Sequence, residues 1–399
     1  MNPNAVGPTT RPWYRIGLGE AAGSVADLGV LVPLATALIV VNGLDAGAVF
    51  VCGGALVLAS GLWFRIPFPV QPLKALTAIA VAQGLSPATI NAAGIELGLV
   101  LLLLAIGGLG AQLARLFGKP VIRALQLGVG ILLVVGAWRL AAHPPEVFAA
   151  VPSRSWLLVL ATIAFIGVWF AARAAKPWIA LLVLAAGVIA TIVGASPDLS
   201  PPSLSLPTSL GIPPTRAFAN AFLLLVVPQI PLTFGNAVVA VHDLSHEYFG
   251  RAARRVTIPR VLVSDGVANV ATGVLGGMPM CHGSGGLTAH VKLGARTAGM
   301  NLLLGGGFLA LGLFFAEQVP TIMGFLPVWV LAAFLGYAGV RHALLVIDLR
   351  GIELGVAIVA GALGAWMANL AVTAGLAILA VFAIRLLRRD RRAAGTLGA

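Results

Sequence analysis

Two stretches hold the residues best suited to chemistry: Ile66-Pro67-Phe68-Pro69-Val70-Gln71-Pro72-Leu73-Lys74 and Met278-Pro279-Met280-Cys281-His282-Gly283-Ser284-Gly285-Gly286. Each sets proline, glycine and hydrogen-bonding side chains into sequence that is otherwise hydrocarbon-like. Backbone N–H and C=O groups left unpaired in lipid are costly, so a membrane span tolerates such a break only where it lines a protein cavity. A helix beginning near Gln71 and another near His282 would each present N–H groups at membrane depth, equivalent to roughly half a positive charge apiece. Lys74, one turn into the first of these helices, adds a full charge, and the total of about +2 suits a dianion. Gly283, Gly285 and Gly286 let an oxyanion approach the backbone closely. Gln71, Thr233, Ser284 and His282 supply further hydrogen bonds. The chemistry read here is capture of an anion. No Walker A, His-Glu-x-x-His or Gly-x-Ser-x-Gly motif is present, so no catalytic residue, metal ligand set or cofactor is expected, and the chain is not read as an enzyme.

Other polar residues carry two readings each. Asp27, if ionised, lowers the local positive charge and repels an anion; if it titrates, it couples anion entry to a proton. His282 is the second proton-coupling candidate. Lys74 either contacts the substrate or neutralises Asp27 as a structural pair. Gln229 and Thr233 either contact the anion or satisfy backbone freed by Pro228 and Pro231. Cys281 is either a ligand neighbour or a small packing residue. Asp265 with Asn269 reads as a structural hydrogen-bonding group, Glu96 as an interfacial residue near a span start, and His242, Asp243 and His246 as a solvated edge.

The elements that position these residues follow from composition. The chain has 399 residues, 59% hydrophobic and 10% charged, with mean hydropathy +1.01. That excludes a soluble domain of this length. With about 20 residues per span, there is room for about 14 spans in a bilayer. Expected segments lie near 17–39, 46–64, 70–84, 93–114, 122–141, 156–174 and 178–195, then 217–241, 257–276, 282–294, 299–317, 322–340, 351–368 and 370–386. Residues 1–16 read as a cytoplasmic tail, 197–216 as an external Pro/Ser-rich loop, and 388–399 as a basic cytoplasmic tail. The net charge of +12 does not point to nucleic acid, because the basic residues sit between spans. With both termini inside, 21 of the 25 lysines and arginines are cytoplasmic and three (Arg139, Arg154 and Arg216) are external. This is the asymmetry of a multi-pass cytoplasmic-membrane protein. The halves 17–196 and 217–387 mirror each other: each sets a polar, proline-containing first span before a broken third span. An odd number of segments per half inserts the two in opposite directions, the inverted-repeat pattern of secondary transporters.

The residues also resemble a known family, the molybdate transporters, a branch of the sulfate permease superfamily. The resemblance rests on Ala26-Asp27-Leu28-Gly29 with Pro33, Pro69-Val70-Gln71-Pro72-Leu73-Lys74, Pro228-Gln229-Ile230-Pro231-Leu232-Thr233, Met278 to Leu287, and Gly294-Ala295-Arg296-Thr297. It implies an all-α, seven-plus-seven inverted-repeat fold. A core would hold segments 1–4 and 8–11, and a gate segments 5–7 and 12–14. The anion would sit between the starts of segments 3 and 10. Relatives pair as homodimers, and many carry a C-terminal STAS domain that is not expected here. Pro-Leu-Lys and Met-Cys-His stand where relatives often have Pro-Met-Lys and Cys-Cys-His. The expected function is import of a tetrahedral oxyanion, molybdate or alternatively sulfate, by alternating access. An anion channel and a proton-coupled nucleobase symporter are the remaining classes. The symporter is disfavoured because Gln229 and His282 occupy positions where it would want carboxylates.

Overall fold

The computed structural model describes residues 12–24, 28–106, 118–144, 148, 154–173, 182, 185–186, 189, 201–204, 206 and 211–396. Asp27 and nearly all of the expected segment 7 lie outside the described residues. The first half contains α1 (Leu18–Ser24), α2 (Leu28–Val40), α3 (Ala46–Phe64), strand β1 (Gln71–Pro72), α4 (Lys74–Gln83), α5 (Pro87–Ala105), α6 (Lys119–Ala142) and α7 (Arg154–Arg173). The second half opens with one continuous helix, α8. It is assembled from Thr215–Ala221, a π-helical Phe222–Val226, Val227–Leu232, a π-helical Thr233–Val239 and Ala240–Phe249. Then follow α9 (Ile258–Val274), β2 (Met280–Cys281), α10 (Ser284–Leu293), α11 (Gly299–Phe314), α12 (Val319–Gly324), α13 (Val328–Ala343), α14 (Gly351–Trp366) and α15 (Leu370–Thr396). Among the described residues, five helices are long and apolar enough to cross a membrane, and shorter apolar helices accompany them.

Several boundaries differ from the hydropathy reading, each for a local reason. α5 starts at Pro87, not near 93, because Ser86 caps it by accepting from Thr89 N–H and proline suits the first turn. Glu96 therefore lies mid-helix instead of at an interface. α8 does not stop at 241. Pro228 and Pro231 remove backbone donors, and the flanking π-helical turns absorb the defect without breaking the rod. Expected segment 12 divides into α12 and α13 just before and after Pro327. α15 runs on through the basic tail, so 387 is no structural break. The N-terminal stretch is not loose from Trp13 onward. Ala298 N–H donates to Trp13 O (3.0 Å) and Arg15 N–H to Thr297 Oγ1 (3.0 Å). Glu20 Oε1 accepts from the N–H groups of Arg296 (3.1 Å) and Thr297 (3.0 Å).

Helix pairing is symmetric under exchange of the halves. α3 packs on α11, α5 on α9, and α6 on α13. In lipid the hydrophobic effect does not drive helices together, so close backbone approach through small residues does. A Cβ added to Gly98 of α5 would lie 2.6 Å from Gly266 O of α9, and one on Gly54 of α3 would lie 2.8 Å from Gly305 O of α11. These two glycine contacts occupy corresponding places in the two halves.

Candidate functional site

The two broken stretches meet. β1 and β2 pair antiparallel, with Gln71 opposite Cys281 and Pro72 opposite Met280. Leu73 N–H also donates to Pro279 O (3.2 Å). The helices leave this crossing at Lys74 and Ser284, not at Gln71 and His282. Proline pushes its preceding residue into extended backbone, and the strand pairing holds 71–72 and 280–281 there. Lys74 is thus the first helical residue instead of one turn in. Neither N-cap residue, Leu73 or Gly283, supplies a side-chain cap.

Each crossing is held by an asparagine. Asn301 of α11 donates to Phe68 O (2.7 Å) and Val57 O (3.1 Å) and accepts from Phe68 N–H (3.0 Å). Asn269 of α9 donates to Met280 O (2.7 Å) and Asp265 O (2.8 Å) and accepts from Met280 N–H (3.1 Å). Both asparagines are fully buried. They provide the backbone partners that a non-helical chain lacks in lipid. Asn269 matches the structural reading made from sequence. Asn301 was missed there, although a lone amide in an apolar span (Gly299-Met300-Asn301-Leu302) is a readable signal.

Lys74 Nζ donates to Gln71 Oε1 (2.7 Å). Gly283 lies against this pair: a Cβ there would collide with Gln71 Oε1 and stand 3.5 Å from Lys74 Nζ. Gln71, Lys74 and Gly283 are therefore one cluster, drawn from both halves. A narrow crevice adjoins it, too tight to hold a water molecule, lined by Val30, Pro33, Leu34, Lys74, Leu133, Leu335 and Ala338. Lys74 is the charged group in an otherwise apolar lining contributed by α2, α4, α6 and α13.

Gln229 and Thr233 are placed beside the first crossing: Gln229 is bonded to the helix that leaves it, and the two are bonded to each other. Gln229 Oε1 accepts from Leu76 N–H (3.0 Å) in the first turn of α4, and its Nε2 donates to Thr233 Oγ1 (2.9 Å). Both are buried. Ser284 Oγ donates to Asn236 Oδ1 (2.6 Å). Asn236 was also missed, yet Gln229, Thr233 and Asn236 fall at i, i+4 and i+7, one face of a helix. Gly285 is exposed with open space where a Cβ would point. Cys281 is buried on β2.

His282 is placed otherwise than expected. Its Nδ1 lies 2.8 Å from Pro69 O, its Nε2 2.9 Å from Ser264 Oγ and 3.4 Å from Asp265 Oδ1. The ring is fully buried and packs edge-on against Phe68 and Phe64, with centroids 4.7 and 5.7 Å away. Both nitrogens are engaged by protein, so His282 ties the second crossing to the first instead of offering a bond to an anion. Pro69 O can only accept, which puts a proton on Nδ1. At the other end of α8, His242 pairs with Asp243 (2.9 Å) and His246 Nε2 lies 3.0 Å from Val256 O. These bonds make that end a braced, partly exposed rim. No group of three or more His, Cys, Asp or Glu residues that could hold a metal occurs among the described residues.

Comparison with known proteins bears on the family and the fold. Residues 19–133 and 221–341 match the family model described as "Molybdate transporter of MFS superfamily". Both crossings fall inside the matched ranges. Molybdate transporter 2 of Arabidopsis thaliana is 29% identical over 381 residues, covering 84% of this chain and 80% of that protein. Molybdate transporter 1 of the same plant is 30% identical over 374 residues, covering 84% and 81%. Among solved structures, the transmembrane domain of the cyanobacterial bicarbonate transporter BicA superposes with TM-score 0.58 at 20% identity, covering 91% of this chain and 96% of that one. Murine Slc26a9 in its inward-facing state gives 0.63 at 11% identity, covering 94% and 70%. The fold is thus shared with the BicA transmembrane domain and with Slc26a9, an all-α polytopic membrane architecture. The relatives are transporters, not enzymes. On the extent of the matched sequence, the chain belongs to the molybdate transporter family.

Proposed function

We propose that this protein imports a tetrahedral oxyanion across the cytoplasmic membrane, with molybdate as substrate and sulfate as the alternative. The carrying observation is the Lys74–Gln71 pair set against Gly283 where β1 and β2 cross. A single cation at the joint of two helix starts matches a small, doubly charged guest. An anion reaching this joint once the helices lining the crevice part would take Lys74 Nζ from Gln71 and gain the open backbone at Gly285. The names of the plant relatives favour molybdate.

The proposed mechanism is alternating access. Segments 1–4 and 8–11 act as a core moving against a gate of segments 5–7 and 12–14, within repeats 17–196 and 217–387. The crevice supports this division, because α2 and α4 face α6 and α13 across it. Both termini are placed in the cytoplasm on the charge asymmetry. A coupled proton, if carried, is assigned to Asp27 in preference to His282, whose nitrogens are occupied. Molybdate uptake into proteoliposomes, with and without excess sulfate and with and without a pH gradient, tests the whole reading. Saturable uptake that sulfate barely inhibits is the expected result. Full inhibition by equimolar sulfate would reassign the substrate, and absence of saturable uptake would remove the transporter reading.

A further inference from the structure

Away from the crossing, four arginines converge at one end of the core. Arg65 ends α3 in the left-handed region (φ 60°), with its guanidinium 5.5 Å from the Trp13 ring centroid. Arg254 and Arg255 lie on the short 3-10 turn Gly250–Arg255, and Arg260 in the first turn of α9. Arg255 Nη1 donates to Trp63 O (3.2 Å). The turn Gly250–Arg255 and α9 both pack against α3. Among the described residues, none of the four forms an ion pair with a carboxylate. Arg260 also sits where the helix dipole disfavours a cation.

Loop charge that served only to orient the chain could be spread out. Here three separate segments bring like charges together, and two of the arginines are pinned by a carbonyl and an aromatic ring. Like charges gathered there repel one another, and a bound anion relieves that repulsion. Trp63 is about half exposed (52%) one residue before α3 ends, as an interfacial anchor is. The cluster therefore lies beside the end of a helix long enough to cross a membrane.

We infer that Arg65, Arg254, Arg255 and Arg260 form a binding site for the phosphate headgroup of an anionic phospholipid in the leaflet facing this end of the core. Clustered arginines next to a span end recognise such headgroups, and guanidinium forks suit phosphate oxygens. The inference does not depend on which anion is carried. It goes beyond the transport reading by giving the core its own lipid contact, so membrane composition would bias the core's position.

The test is titration of the purified full chain in neutral detergent with phosphatidylglycerol or phosphatidylcholine, read by native mass spectrometry and thermal shift. The wild type is expected to bind phosphatidylglycerol more tightly and to gain thermal stability from it. The variant R254Q/R260Q changes two exposed side chains and leaves the Arg255–Trp63 and Arg65–Trp13 contacts in place. It should lose roughly thirty-fold in phosphatidylglycerol affinity, at about 1 kcal/mol per arginine. Its thermal stability in phosphatidylcholine should be unchanged, which separates lost binding from lost folding. Equal binding of the two lipids by the wild type, or undiminished phosphatidylglycerol binding by the variant, overturns the inference. So does inorganic phosphate matching the stabilisation by phosphatidylglycerol, which would assign the arginines to a free anion. Molybdate uptake, assayed separately, bears on the transport reading alone.

Discussion

The first crossing, 66–74, and the second, 278–286, are joined strand to strand yet are equipped differently. The first contributes side chains: Lys74 supplies charge and Gln71 holds it. The second contributes backbone and space: Gly283 makes room for that pair, and Gly285 leaves the chain open. The polar side chains of the second are turned to holding the protein together, His282 to Pro69 and Ser284 to Asn236. Two helix starts that look equivalent in sequence thus divide the work into a charged half and a shaped half. The reason is geometric. Where the strands pair, Gln71 occupies the space next to residue 283, so only a glycine fits there.

This division can be broken most severely at Gly283. Gly283→Val would drive its side chain into Gln71 Oε1, and molybdate uptake should fall to background while the protein remains inserted. Normal uptake would show that the two crossings do not pack as described. Next in size is Lys74→Ala. Removing the one charge at the crossing should weaken molybdate affinity about a hundredfold, or ~3 kcal/mol, read from the substrate dependence of uptake. An unchanged affinity would return Lys74 to a structural role. Asn301→Ala and Asn269→Ala test whether the crossings are held equally. Each would orphan a buried backbone N–H and C=O at one crossing, at a cost of ~2–4 kcal/mol. Thermal unfolding in detergent should show similar losses, and a much smaller loss for one would mean that its crossing is held by other contacts.

The smaller effects sharpen the contrast. His282→Gln should lower thermal stability while leaving the response of uptake to a pH gradient intact. Loss of that response would restore His282 as the proton carrier. Ser284→Ala removes one hydroxyl hydrogen bond to Asn236 and should change molybdate affinity by only a few-fold, about 1 kcal/mol or less. A loss as large as that of Lys74→Ala would make the second crossing a side-chain ligand donor as well.

Most of the fold was legible because lipid constrains sequence so strongly. Proline and polar residues at positions 66–74 and 278–286 have no place in a lipid-exposed span, so the two breaks could be anticipated, whereas their pairing as short strands could not. Span ends were less legible. Pro228 and Pro231 read as breakers but are carried inside α8 by π-helical turns, which depend on packing along the whole rod. Asn236 and Asn301 were missed because single amides in apolar sequence look like tolerated exceptions until their partners, Ser284 and Phe68, are seen.

The sequence by itself determined that this is a polytopic membrane protein with a polar break in each half, the first carrying a lysine, because periodicity and hydropathy act over neighbouring residues. It did not determine which polar groups at the breaks face a guest and which face the protein. His282, Gln229 and Ser284 are chemically able to do either. Only the meeting of β1 with β2, between residues some 200 positions apart, decided that His282 is spent on Pro69 and that Lys74 is left at the crevice. A hydrogen bond is fixed by distance and direction in space, and neither is written in chain order.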